Sequence, residues 1–491
     1  MSGYLTGTTT WYRTNIYLLN GMVFVRSNGV LNIEAGTVIK GHNIGADSTN
    51  ISALVVCRGA KIFAEGTPQN PIIFTAEADD TTFPDDLPIW GSTARGLWGG
   101  VVILGRCVLN SAIDTGGNAA TPKYEVYEGL PDVIASGNEA LLRFGGTDDN
   151  DNSGVLRYVS IRHGGAALFP NKEINGLSMG GVGRGTTIEF VEAYCVADDG
   201  FEFFGGTVNT RYLVSSFNDD DAFDTDMGYR GTNQFWFAIQ APDKRNYGME
   251  LNNQVNEVQA ATQLTPAADF KVYNMTLIGA GALNPVGGGG GGNNAAIALR
   301  PWVGPKIYNS IFTDFNERGV LLDSAQGIVA TQAVTGGFAQ LHNTLWWDFV
   351  TGSGSGNIDN TATNLGRFTV ATNYWTDLSL TNQIANPLLI SISRTNVGAA
   401  LDPRPAAGSP ALNDYAATPG GGFLTPTTYR GAFGPNDLWI ANWTALAEYG
   451  IIAPAAQNTV PVSGYLTGTT TWYRTNIYLL NGMVFVRSNG V

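Results

Sequence analysis

VEAYCVADDGFEFF at 191–204 is followed by VSSFNDDDAFDTD at 214–226. Val191-Glu192-Ala193-Tyr194 matches Val214-Ser215-Ser216-Phe217 at an offset of 23, and Asp198-Asp199-Gly200-Phe201-Glu202 matches Asp220-Asp221-Ala222-Phe223-Asp224 at an offset of 22. Each unit is a short β-branched and aromatic run joined to an acidic turn, the pattern of strands rather than helices. Inexact repeats of this length built from short strands describe the coils of a solenoid, in which each unit buries its apolar face on its neighbours.

A second series continues the reading. VYNMTL at 272–277, IYNSIF at 307–312 and LHNTLW at 341–346 place Asn274, Asn309 and Asn343 at spacings of 35 and 34. One asparagine per coil predicts a turn in left-handed geometry, which Asn tolerates, with side-chain amides stacked and bonded from coil to coil. Upstream, Met22-Val23-Phe24-Val25, Val38-Ile39, Ala53-Leu54-Val55-Val56, Ile72-Ile73-Phe74 and Val101-Val102-Ile103-Leu104 read as successive strands cut by Gly, Asn or Asp. Helical periodicity is confined to LWIANWTALAEYGII at 438–452. The expected fold is all-β: a right-handed parallel β-helix of about 15 coils at a rise of about 4.8 Å each, with a short C-terminal helix or cap. Residues 79–96, 118–140 and 286–294 read as insertions, the last holding Gly287 to Gly292 in a row.

Composition narrows the function classes. The 491 residues include 63 Gly and only 14% charged residues, with a formal charge of −14. That charge, with no Lys/Arg cluster, argues against a nucleic-acid partner, and no apolar run is long enough to span a membrane. No basic-then-apolar leader opens the chain. Cys57, Cys107 and Cys195 form no CxxC pattern and read as small buried thiols. His42, His163 and His342 are isolated and have no zinc spacing.

Residues 2–30 return letter for letter as 463–491. The first copy runs on into Leu31-Asn32-Ile33, whereas the second ends at Val491. Its apolar run from Ile477 to Val486 therefore lacks the strand that follows in the first copy, and unpaired backbone groups and an apolar face call for a neighbour. The expected organisation is a first-coil segment at 1–30, a β-helix at 31–452, a Pro/Ala-rich linker at 453–462 and an assembly segment at 463–491. Trp472, Tyr473, Ile477, Leu479, Val484 and Phe485 are the candidate assembly residues. The strand within 477–486 is expected to pair with the final coils of the body and to bury Leu479, Met483, Val484 and Phe485 there or against a neighbour.

LNIEAGTVIKG at 31–41, ALVVCRGAKIFAEGTPQNPIIFTAEAD at 53–79, WGGVVILGRCVLN at 98–110, FGGTDDNDNSGVLRYVSIRHGG at 144–165, DDGFEFFGGTVNTRYLV at 198–214 and YRGAFGPNDLWIANWTALAEYG at 429–450 resemble a family of secreted bacterial β-helix surface proteins. The resemblance covers most of residues 20–452. It implies an exported parallel β-helix, displayed or secreted, and little about activity. A copy of the N-terminal segment stands where a sorting domain would follow the β-helix.

The densest acidic region holds Asp198, Asp199, Glu202, Asp219, Asp220, Asp221, Asp224 and Asp226. Stacking the two repeats sets Asp198 and Asp199 against Asp220 and Asp221, and Glu202 against Asp224. Neighbouring carboxylates repel unless protonated or bridged, and an oxygen-rich cluster suits Ca2+. Asp198, Asp199, Glu202, Asp220, Asp221 and Asp224 are the candidate ligands. Turn-capping aspartates and a glycosidase or lyase acid/base pair are the alternatives. Thr147 to Gly154 reads either as a weak calcium loop or as an Asx-rich turn. Trp346, Trp347, Tyr374, Trp375, Trp439 and Trp443 read as a sugar platform or as packing residues.

These features lead to the expectation of an extracellular, non-enzymatic structural protein with itself as partner, polymerising head to tail by strand complementation between β-helix ends. A monomeric cell-surface adhesin or glycan-binding β-helix and a polysaccharide lyase or hydrolase are the alternatives.

Overall fold

The computed structural model describes the chain except residues 43–50, 83–85, 111–122, 128–140, 170–171, 244–245, 255–262, 282–294, 316–317, 323, 326–327, 330–336, 350–379, 421, 453–457, 469–475 and 491. It is a right-handed parallel β-helix with three faces. The first coil contributes Gly3–Leu5, Thr8–Trp11 and Ile16–Leu19, one strand per face, and the second Met22–Val25, Val30–Ile33 and Val38–Gly41. The first face is a run of ten parallel strands from Gly3–Leu5 to Arg318–Leu322.

Alternation sorts the side chains. Leu54, Val56, Val101, Ile103, Leu177, Met179, Phe201 and Phe203 belong to the continuous interior core. Ring stacking runs along it: Phe223 lies 4.3 Å from Trp236 and Phe312 lies 4.2 Å from Trp346 between centroids. The intervening Phe24, Val55 and Val102 point outward and are covered by Tyr127, Leu142 and Phe144 from the insertion in the fourth coil.

The second and third faces meet at a corner made by one residue per coil in left-handed geometry. Gly154–Arg162, Thr187–Tyr194, Asn209–Ser216 and Thr232–Ile239 are long strands that bend at Tyr158 (φ 50°), Phe190 (φ 55°), Tyr212 (φ 58°) and Phe235 (φ 59°). A non-Gly residue in this region costs about 1–3 kcal/mol. Stacking offsets it, because the four rings lie parallel at 4.4, 4.2 and 4.7 Å.

In the following coils the corner passes to Asn274, Asn309 and Asn343 (φ 56°, 52° and 55°), with Tyr273, Tyr308 and His342 aligned in register beside them. The expected left-handed asparagines are there, but their amide donors do not bond one another. Asn274 donates to the Tyr429 carbonyl (2.9 Å), Asn309 to Ala416 (2.9 Å) and Asn343 to Asp414 (2.7 Å). The backbone N–H groups of Ala416 and Thr425 donate back to Asn309 and Gln234, each at 2.7 Å.

These bonds fasten a C-terminal strap that corrects the expected boundaries. Solenoid strands end at Gln383–Ile384, and residues 385–452 lie outside them, with an antiparallel pair Leu389–Ser391 and Asp402–Pro405. The short helix or cap expected within 438–452 is there as one turn, Ala445–Glu448, capped by Thr444. Trp443 packs edge-on against Tyr158 and Phe190, and Trp439 against Phe190 and Tyr212. The buried Arg162 pairs with Glu448 at 2.7 Å, while Glu192 accepts from the Ala445 N–H at 2.6 Å. The body thus has ten first-face strands among the described residues, fewer than 15 coils, because insertions and the strap use chain that adds no height. Of the expected linker, 453–457 lie outside the described residues, and the rest belongs to the strand Asn458–Gly468. The expected insertion at 286–294 also lies outside the described residues.

Candidate functional site

The acidic repeats stack as their offset predicts. Phe201 aligns with Phe223 and Glu202 with Asp224, and in the next coil Asp224 aligns with Glu250. Since Phe201, Phe203 and Phe223 face the core, Glu202, Asp224 and Glu250 form an outward column on the first face. Asp198, Asp199 and Asp220 form one cluster whose carboxylate oxygens lie within 4.8 Å of one another, and Asp199, Glu202 and Asp224 form another. Oxygen-only groups at such spacing can hold a hard divalent cation. Asp221, the sixth candidate ligand, sits beside them and accepts from the Tyr247 N–H at 2.7 Å.

Part of this acid is structural. Asn175, Asp199 and Asp221 occupy one turn position in successive coils. Asn175 accepts from the Asp199 N–H at 3.2 Å, and Asp199 from the Asp221 N–H at 2.9 Å. Asn175 also donates to Glu202, and Asn246 to Asp220. One buried oxygen of Asp224, Oδ1, has no hydrogen-bond partner among the described residues.

Burial pushes the carboxyls of Asp199, Asp221 and Asp224 well above the ordinary carboxylate range. Neighbouring charges add to the push: Asp198 on Asp199, Asp220 on Asp221 and Glu250 on Asp224. A bound cation would remove that cost by neutralising the charge. Glu250 and Arg300, joined at 2.9 Å, complete the neighbourhood. The repeat reading did not include Glu250, although its signal is in the sequence. Phe201-Glu202-Phe203 and Phe223-Asp224-Thr225 recur a third time as Met249-Glu250-Leu251.

The 147–154 loop is an Asx-rich turn. Asp148 accepts from the Asn150 N–H at 2.9 Å and Asn152 from the Gly154 N–H at 2.8 Å, while Asp149 pairs with Arg230 at 2.9 Å. Trp346 and Trp443 are buried, Trp439 is half-buried against the strap cluster, and Trp347 is half-buried. Tyr374 and Trp375 lie outside the described residues. The three cysteines are free and buried.

The duplicated segment forms a separate two-stranded parallel sheet, Asn458–Gly468 with Asn476–Gly490. This corrects the expectation that its strand would pair with the final coils. The last described solenoid strand, Gln383–Ile384, has its own parallel partner in Leu345–Trp347, and 476–490 takes the strand just upstream instead. Within the one chain Leu479, Met483 and Phe485 are exposed and Val484 is half-buried, so the expected burial is not made on the final coils. Ile477 lies in the strand, while Trp472 and Tyr473 lie outside the described residues.

The pairing of this sheet reproduces that of the first copy. Gly3, Tyr4 and Leu5 pair with Val23, Phe24 and Val25, and Gly464, Tyr465 and Leu466 pair with Val484, Phe485 and Val486. Ring and cation contacts recur as well. Tyr4 meets Phe24 at 5.8 Å and lies under Arg26 at 5.3 Å, while Tyr465 meets Phe485 at 5.3 Å and lies under Arg487 at 4.1 Å.

Among known proteins, a family model described as a pectate-lyase-like β-helix domain matches residues 3–377. Comparison with curated proteins and with solved structures returned no match. The matched region opens at the first strand and takes in the stacked faces and the acidic column, so the chain belongs to the pectate-lyase-like β-helix domain family.

Proposed function

We propose that the protein is a non-enzymatic extracellular structural subunit that joins copies of itself head to tail through its duplicated segment. The observation that supports this most directly is the sheet of 458–490, which has first-coil register but leaves Leu479, Leu480, Met483, Phe485 and Val486 exposed. At the other end, Tyr4, Tyr12, Ile16 and Leu18 are exposed on the first coil. Apolar, open-edged strands at both ends favour a heterologous contact that does not close, and such contacts propagate as filaments. Calcium is the cation this reading assigns to the Asp199 region, as a rivet between the adjacent coils that carry Glu202 and Asp224. Negative-stain microscopy of the purified chain tests the function. Filaments that vanish when 463–490 is deleted would support it, and a chain that stays monomeric at high concentration would sink it.

A polysaccharide lyase or hydrolase is the second reading. It is favoured by the family and by the outward acidic column with Arg300 beside it. Its test is release of unsaturated or reducing sugar ends from acidic polysaccharides, with loss of that activity in Asp224→Asn.

A further inference from the structure

We infer that residues 458–490 of one chain take the seat of residues 1–29 in a second copy, displacing that copy's own first coil; this rests on the filament reading above. The shared sequence is the first argument. A segment that merely stacked on the first coil would have to complement it. A segment that repeats it letter for letter carries the side chains that fit the first coil's own seat.

The second argument is the set of partners that each copy has. In the first copy Ile16–Leu19 pairs with Val38–Gly41, and Met22–Val25 pairs with Gly3–Leu5 on one edge and with Ala53–Val56 on the other. In the second copy 484–486 keeps the equivalent of the Gly3–Leu5 pairing. Among the described strands it has no equivalent of Ala53–Val56, nor has 477–480 an equivalent of Val38–Gly41. A second chain holds both missing partners on the strands beneath its first coil.

The third argument is upstream. The Met1 carbonyl accepts from the Asn20 N–H at 2.7 Å, and the Met1 amine donates to Leu18. Val462, the residue equivalent to Met1, pairs with Leu480, the residue equivalent to Leu19. From there 458–461 pair with 476–479 in the same register. The second copy thus carries a paired strand upstream of Val462, and it brings that strand into the shared seat.

The test uses the full chain. Leu18 aligns with Lys40, so Leu479 of an exchanged segment would align with Lys40 of the recipient, within the Cα separation a disulfide spans. The native thiols are buried. Under mild oxidation, Leu479→Cys with Lys40→Cys should give a ladder of covalent multimers, whereas Leu18→Cys with Lys40→Cys should close within one chain. Matched substitutions then separate exchange from fold damage. Leu19→Ala weakens the resident segment and should raise the cross-linked fraction at least tenfold. Leu480→Ala weakens the incoming one and should lower it at least tenfold. Filaments that form without the 479–40 bridge, or matched substitutions that act in one direction, would overturn the exchange and leave the filament reading standing. A monomeric chain would overturn both.

Discussion

Residues 2–30 and 463–491 have one sequence and two surroundings. Leu19, Phe24 and Val25 are 0%, 4% and 0% exposed, whereas Leu480, Phe485 and Val486 are 54%, 45% and 63% exposed. The pairing of 3–5 with 23–25 survives in both settings, with its Tyr–Phe–Arg contacts. Register is therefore a local property of this sequence, since alternating side chains and tight Gly turns fix it. Burial is not local. It comes from the coil beneath, which the first copy has in Val30–Ile33, Val38–Gly41 and Ala53–Val56.

The comparison can be broken most sharply at Trp11, which is buried and stacks on Tyr17 at 5.0 Å. Trp11→Ala should cost about 3–5 kcal/mol in chemical denaturation. A smaller loss would mean that the first copy is as loosely held as the second. Next, Leu19→Ala should cost about 2–5 kcal/mol, while Leu480→Ala in dilute monomer should stay within about 0.5 kcal/mol. Equal effects would show the two surroundings to be alike in solution.

Cation removal should lower the stability of the body without changing the contrast between copies, since the acidic column lies in neither. At a hundredfold excess over Kd a bound ion adds about 2.7 kcal/mol. An unchanged melting temperature in chelator, with no metal by elemental analysis, would dismiss the ion. The smallest effect concerns pH. Asp199, Asp221 and Asp224 have raised folded pKa values, so above the ordinary carboxylate range the folded state holds protons that the unfolded state has released. Stability of metal-free protein should then fall as pH rises through that window. Asp224→Asn should flatten the slope, with a gain of about 1 kcal/mol at neutral pH. A slope of the opposite sign would contradict the shifts.

Much of the solenoid was legible in the sequence. The offset of 22 between the acidic turns became the observed register, whereas the offset of 23 expected for the strands before them is corrected to 22, since Val191 pairs with Leu213 and Glu192 with Val214; three asparagines fell on one corner. The aromatic corner was equally visible in principle, since Tyr158, Phe190, Tyr212 and Phe235 recur at coil spacing, but aromatic residues in strands look like core. The strap had no such signal. Residues 385–452 have no period of their own, because their partners are side-chain amides and carbonyls of distant coils rather than neighbouring strands. The state of the second copy was hidden for a related reason: a strand's exposure depends on neighbours that its own residues do not encode.

The strap also divides the rod into a metered part and a free part. Its contacts run from Arg162 and Glu192 through Gln234 and Asn274 to Asn343, so it works as a tally stick laid across those coils. A coil spliced in between 232 and 347 would slide every later notch by about 4.8 Å and strand the strap's amide partners. A coil spliced in before Ala53–Val56 would shift no notch. Length can therefore vary at the N-terminal end, where copies are proposed to join, while the strapped end keeps a fixed count.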